Sequence, residues 1–361
     1  MTVPVEADGA LGLYSAVGDA FAGRRLGFGR RRATLAARFS RHRGGDDAAV
    51  AASWLAGALA DTGLIAVVLP PDATPRARLL ADADAPHHAA RLVAALPGVP
   101  PQAADIVRWH REHDDGTGVP DRLRWDGIPA DAAALGIAHA FLQAVEDPDE
   151  PRGPSEAVFA IVAESGRTFR VELVRAFREF IASAPDDWDA PVGVALPALD
   201  EEAAVTDLAA RIDARDSATE GRSERLASVA ASLAVRLDRD PNHAARLGRL
   251  LALGRAAESV PHDDFDPLSR FARERRAAVA GRAAGIAAAV PRYAPDAAYL
   301  AASAAWFEDG ESDRLAGILA LALAVDALDP LEAPRRLGAA AGTQFDPEIT
   351  RAYLAALGAA T

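Results

Sequence analysis

The chain has 361 residues, half of them apolar, and 52 acidic against 39 basic side chains give it a net charge of −13. That balance argues against nucleic acid and anionic membrane as partners, since both demand a basic face. Cysteine is absent, which excludes disulfides, thiolate nucleophiles and cysteine-ligated zinc. All 39 basic residues are arginine and aromatic residues make up only 6%, so alanine does much of the filling; such a composition favours helix. The N-terminal stretch MTVPVEADGA is acidic and lacks an apolar core, and no apolar run nears the length needed to span a bilayer. A cytoplasmic protein is the expectation.

Taken in order, the first element is an Arg-rich helix from Gly27, GFGRRRATLAARF, with Leu35 and Phe39 on one face. Its Arg30, Arg31 and Arg32 read as a solvated face paired with acids such as Asp46 and Asp47. An apolar helix follows, AAVAASWLAGALADTGLIAVVLP, broken at Asp61-Thr62-Gly63 and ending at Pro70-Pro71. Residues 77–97 form a further helix carrying His87 and His88. A helix then ends in a polar cluster (His110, Glu112, His113, Asp114, Asp115), a loop with Gly116, Gly118 and Pro120 follows, and Ile128-Pro129 opens the next helix. Imidazoles and carboxylates at a helix end beside such a loop are able to hold a metal or an anion. The helix ADAAALGIAHAFLQAV contains His139, and EAVFAIVAESGRTFRVELVRAFREFI reads as an amphipathic pair. Residues 183–203 are Pro- and Asp-rich without period, a linker. Five of the eight histidines fall within residues 87–139.

The segment HREHDDGTGVPDRLRWDGIP, residues 110–129, resembles the signature of the HD-GYP family. There a His-His-Glu triplet precedes Asp-Gly-x-Gly-Tyr-Pro and then Ile-Pro; here the triplet is His110-Arg111-Glu112 and the loop runs from Asp115 to Pro120, with Val119 at the tyrosine. The resemblance implies an all-α fold of helical bundles, and in the family two or three metal ions serve cyclic-dinucleotide hydrolysis. Carried over position by position, it places Asp61 and His110 in register as metal ligands. His139 stands where the family has an aspartate, and His88 lies one helical turn beyond a lost ligand at Ala85. Phe28 replaces another histidine and Leu64 a lysine. Gly116, Gly118 and Pro120 are the ligand-binding loop candidates.

The plan then repeats. Gly27 through Leu35 maps onto Gly221 through Val229 at an offset of 194, and Gly166 maps onto Gly342 at 176. The resemblance therefore implies two tandem HD-GYP-like bundles, residues 10–182 and 204–361, paired within one chain as an intramolecular pseudo-dimer. The second copy keeps no metal ligand: Arg222, Leu251, Ala252, Ala304, Ala305 and Leu323 take those places, and the lysine position is Arg255. Two functions stay open. One is a catalytically inactive interaction or ligand-sensing module, with no cofactor, whose partner is a signalling protein or a cyclic dinucleotide. The other is a metal-dependent phosphohydrolase with a reduced, mononuclear site, one Fe, Mn or Zn ion held by Asp61, His88, His110 and His139.

Overall fold

The computed structural model describes residues 9–69, 72–184, 187–256, 266–310 and 313–358, and among them the chain is all-helical, with only two isolated bridge pairs and no strand. It divides into two compact units, Met1–Asp200 and Glu201–Thr361. The expected helix end at Pro70-Pro71, the Ser259-Val260-Pro261 end of LLALGRAAESVP and the Glu311-Ser312 part of the shortened loop lie outside the described residues.

The first unit is built from α1 (Ala10–Phe21), α2 (Phe28–His42), α3 (Asp47–Leu59), a 3-10 turn (Ala60–Ala66), α4 (Pro75–Ala95), α5 (Pro101–Trp109), α6 (Ala130–Val145), α7 (Pro154–Ala163) and α8 (Val171–Ser183). Asp46 caps α3 by accepting from the Ala49 N–H, and Thr74 caps α4 at Ala77. The helix of α3 gives way to the tighter 3-10 turn at Asp61-Thr62-Gly63, where the sequence shows its break. Together Asp47–Ala66 is apolar and long enough to cross a bilayer, contrary to the sequence-based expectation, but most of it is buried within the unit, as in a core helix.

Close backbone contacts fix these elements. A Cβ added to Gly57 on α3 would lie 2.6 Å from the Ala33 Cα, so α3 meets α2 at backbone distance. One added to Gly63 would lie 1.9 Å from the Ala85 carbonyl oxygen, which seats the 3-10 turn on α4.

The expected linker behaves differently in its two ends. Residues 190–200 carry no regular structure, yet Trp188 and Val194 are buried. The Trp188 ring meets Phe141 edge-on at 5.1 Å and Asp189 pairs with Arg31, so the segment is anchored on the first unit. At the other end, α9 already begins at Glu201.

The second unit comprises α9 (Glu201–Asp213), α10 (Arg222–Arg236), α11 (Pro241–Leu253), α12 (Arg270–Ala288), α13 (Ala297–Ala302), α14 (Arg314–Ala327), α15 (Ala333–Ala339) and α16 (Pro347–Gly358). Here a Cβ on Gly248 would come within 3.0 Å of the Ala227 Cα, and one on Gly254 within 1.9 Å of the Val279 carbonyl oxygen. Both α2 and α10 start from a left-handed glycine, Gly27 and Gly221. Asp19 accepts from the Gly29 N–H in the first unit; Asp213 accepts from the Ser223 N–H in the second.

Candidate functional site

The chemistry-bearing side chains of the first unit gather at the end of α3, between α2 and α6. Asp61, in the 3-10 turn, accepts a 2.8 Å hydrogen bond from Arg32 of α2. The same Nη1 of Arg32 lies 2.9 Å from the Nδ1 of His139 on α6, and the Arg32 Nε donates to the Gly57 carbonyl at 2.8 Å. Arg24, in the turn before α2, places Nη2 3.3 Å from the other ring nitrogen of His139 and Nε 3.7 Å from Asp61. His110 stacks obliquely on His139, ring centroids 5.8 Å apart, and Phe28 meets His139 edge-on at 5.9 Å. The Arg24 and Arg32 guanidiniums also lie 4.4 and 5.4 Å from the Phe28 ring centroid. Three of the four expected ligands, Asp61, His110 and His139, are thus brought together. His88 is half-buried on α4 and has no part in the hydrogen bonds that link Arg32 to Asp61 and His139.

What stands between Asp61 and His139 is a guanidinium. Arg30 is exposed, but Arg32 is wholly buried, which corrects its reading as part of a solvated face; Arg31 pairs with Glu146 and Asp189, and Asp47 pairs with Arg41 instead. The signal was present. Phe28, Arg32, Leu35 and Phe39 follow one another at spacings of four, three and four, the period of a buried helical stripe, so Arg32 belongs to the apolar face.

Burial and this cation set the protonation states. Burial opposes ionisation of Asp61, but the Arg32 guanidinium overrides it and holds the carboxyl well below the usual carboxylate range. Burial and then the Arg32 charge push His110 down to about 4 and His139 well below its ordinary value. Asp19, against the start of α2, is pushed up to about 7 by burial, in spite of Arg32 and the Gly29 N–H.

A divalent ion does not fit this arrangement. Among the described residues no three His, Asp or Glu side chains are placed to hold one. Asp61 is committed to Arg32, and each nitrogen of His139 faces a guanidinium. His110 turns Nδ1 to the Val107 carbonyl at 2.7 Å, leaving its buried Nε2 without a hydrogen-bond partner among the described residues.

The loop beside the cluster is folded onto itself. Glu112 accepts from the backbone N–H groups of Asp121 and Leu123 at 2.6 and 2.9 Å, pinning the loop from inside. Gly116, at φ +79°, makes room for the Arg124 side chain, and Gly118 packs on the backbone of Glu112 and His113; the Val119–Pro120 peptide is cis. In this structure Gly116 and Gly118 serve the loop's own packing. Trp109 donates from Nε1 to Asp121 at 2.8 Å.

A family model described as HD domain matches residues 23–172. Among solved structures the chain is similar to a cyclic GMP-AMP specific phosphodiesterase of V. cholerae (V-cGAP3), with a TM-score of 0.67 and 17% identity over 96% of each chain. The fold is therefore shared over nearly the whole length. No curated protein matches the chain in sequence.

Proposed function

We propose that this chain is a catalytically silent protein of the HD-domain phosphohydrolase class, of HD-GYP subtype, acting as a ligand-sensing or interaction module in cyclic-dinucleotide signalling. The observation that carries this reading is Arg32, whose guanidinium lies 2.8 Å from Asp61 and 2.9 Å from His139, on the atoms a metal would need. The subtype rests on the Asp115–Pro120 loop, and the ligand class on the phosphodiesterase that shares the fold.

A tandem origin is part of the proposal. Matched contacts recur at steady offsets: Gly63 with Ala85 and Gly254 with Val279, Gly57 with Ala33 and Gly248 with Ala227, Asp19 with Gly29 and Asp213 with Ser223. The Asp114 N–H reaches the Thr168 carbonyl, as Phe307 reaches Gln344, beside the bridge pairs Ser165–Phe169 and Ala341–Phe345. On that register His110 corresponds to Ser303, one place earlier than the sequence alignment put it. The two share a habit: His110 bonds the carbonyl of Val107 and Ser303 that of Leu300, each three residues back. Of the two alanines set at the ligand places, Ala304 is buried while Ala305 is exposed.

Hydrolysis assays test the silent reading. Without two ions to acidify water and receive the departing oxygen, and with each lost electrostatic group costing on the order of 10²–10³ in rate, no turnover of cyclic GMP-AMP or cyclic di-GMP above background is expected with added Mn²⁺ or Fe²⁺. Clear turnover by the wild type that disappears in His110→Ala would overturn the proposal in favour of a mononuclear phosphohydrolase.

A further inference from the structure

Hydrogen-bond accounting at the cluster leaves donors in excess. Arg24 and Arg32 offer up to five N–H groups each, and among the described residues the carboxylate that both contact is Asp61. An imidazole has at most one acceptor nitrogen, so of the two guanidinium contacts to His139 only one is a hydrogen bond. Neither the Arg32 Nη2 nor the Arg24 Nε, both buried, has a hydrogen-bond partner among the described residues. The nearby Arg111 is engaged by a two-pronged contact with Asp82, and Asp19, the other carboxyl acting on Arg24 and Arg32, is hydrogen-bonded to the Gly27 and Gly29 N–H groups instead. Burying unsatisfied donors on a charged group is costly, and proteins seldom leave such groups without a partner.

We propose that the Arg24–Arg32 guanidinium pair is a metal-free receptor for a phosphate-class oxoanion. The planar guanidinium fork matches the paired oxygens of a phosphoryl group and binds it with charge-assisted hydrogen bonds. Arg32 supplies the fixed half: it is wholly buried and tied to Gly57 and Asp61. Arg24 supplies the reachable half, its side chain 23% exposed in the turn between α1 and α2. The inference rests on the silent reading above and names the ligand chemistry of that same site.

The experiment is titration of the chelator-treated full chain with inorganic phosphate, read by calorimetry and by the unfolding midpoint against chloride at equal ionic strength. Saturable binding with a raised midpoint is expected, weakened at least tenfold in Arg24→Gln and less in Arg24→Lys. Absence of binding in the wild type, undiminished binding in Arg24→Gln, or binding that appears only after Mn²⁺ is added would each overturn the proposal. A second measurement needs no variant: phosphate should protect Arg24 from modification by phenylglyoxal in the wild type, mapped by peptide mass, and failure to protect it would also overturn the proposal. Displacement of phosphate by cyclic GMP-AMP would identify the anion as part of a cyclic dinucleotide; no displacement would identify a free-phosphate site. Turnover in the hydrolysis assay would sink the silent reading while leaving chelator-insensitive phosphate binding intact, so the two fail separately.

Discussion

Asp19 and His110 titrate against each other across one acidic window. Burial raises Asp19 to about 7, above the roughly 3.9 of an unfolded aspartate, so the folded state holds this proton more tightly. Its contribution to stability is complete below the unfolded value and lost as pH rises through about 7. His110 behaves oppositely: lowered to about 4 by burial and Arg32, against roughly 6.5 unfolded, it contributes stability above the unfolded value that is lost as pH falls through about 4. Between these limits the two slopes offset each other. Asp19→Asn removes one of them, so its unfolding midpoint should fall more steeply than the wild type's between pH 6.5 and 4. Parallel pH profiles for the two proteins would refute the assignment. At this scale the sequence was legible in part: register alone located Asp61, His110 and His139, whereas the burial of Arg32 needed the stripe from Phe28 to Phe39, in which a charged residue among apolar ones is easily taken for surface.

Among the elements, glycine decides how closely the turn after α3 can approach α4. At Gly63 and Gly254 an added methyl group would fall 1.9 Å from a backbone carbonyl, which cannot swing aside as a side chain can. Overpacking usually costs about 1–3 kcal/mol, and both Gly63→Ala and Gly254→Ala should lie at or beyond the upper end of that range in denaturant melts. Gly281 on α12 is the counterpart: a Cβ there meets nothing within 4 Å, so Gly281→Ala should stabilise by roughly 0.5–1 kcal/mol. A neutral Gly63→Ala would show that the turn is not seated as described. The helices were legible because apolar periodicity and Gly/Pro punctuation carry that information locally. The seating of Trp188 on Phe141 was not, since a Pro- and Asp-rich stretch gives no sign of one aromatic reaching back to a core.

For the whole chain the question becomes one of stoichiometry. On the proposed tandem register, Leu226 of the second unit stands at the Arg32 position, Ala252 at that of Asp61 and Ser303 at that of His110, all buried. In the first, the guanidinium of Arg32 occupies the donors. Elemental analysis of protein purified without chelators should therefore find well under one Fe, Mn or Zn per chain; one equivalent or more would contradict the account of the site. The proposed repeat is read from the sequence through the two offsets. On that proposal the register of the shortened second loop is taken from the backbone bond between Phe307 and Gln344, since no local pattern survives there.

The glycine seats also bear on heredity. Whatever replaces glycine brings a β-carbon, so codons 63 and 254 have no conservative missense neighbours: every amino-acid change at either codon meets a carbonyl oxygen before it meets selection for function. A lineage that has given up metal chemistry would be free to drift at its old ligands while these two codons stay closed to change. On the silent reading proposed above, the part of the message that outlasts the catalyst is the distance between two stretches of backbone.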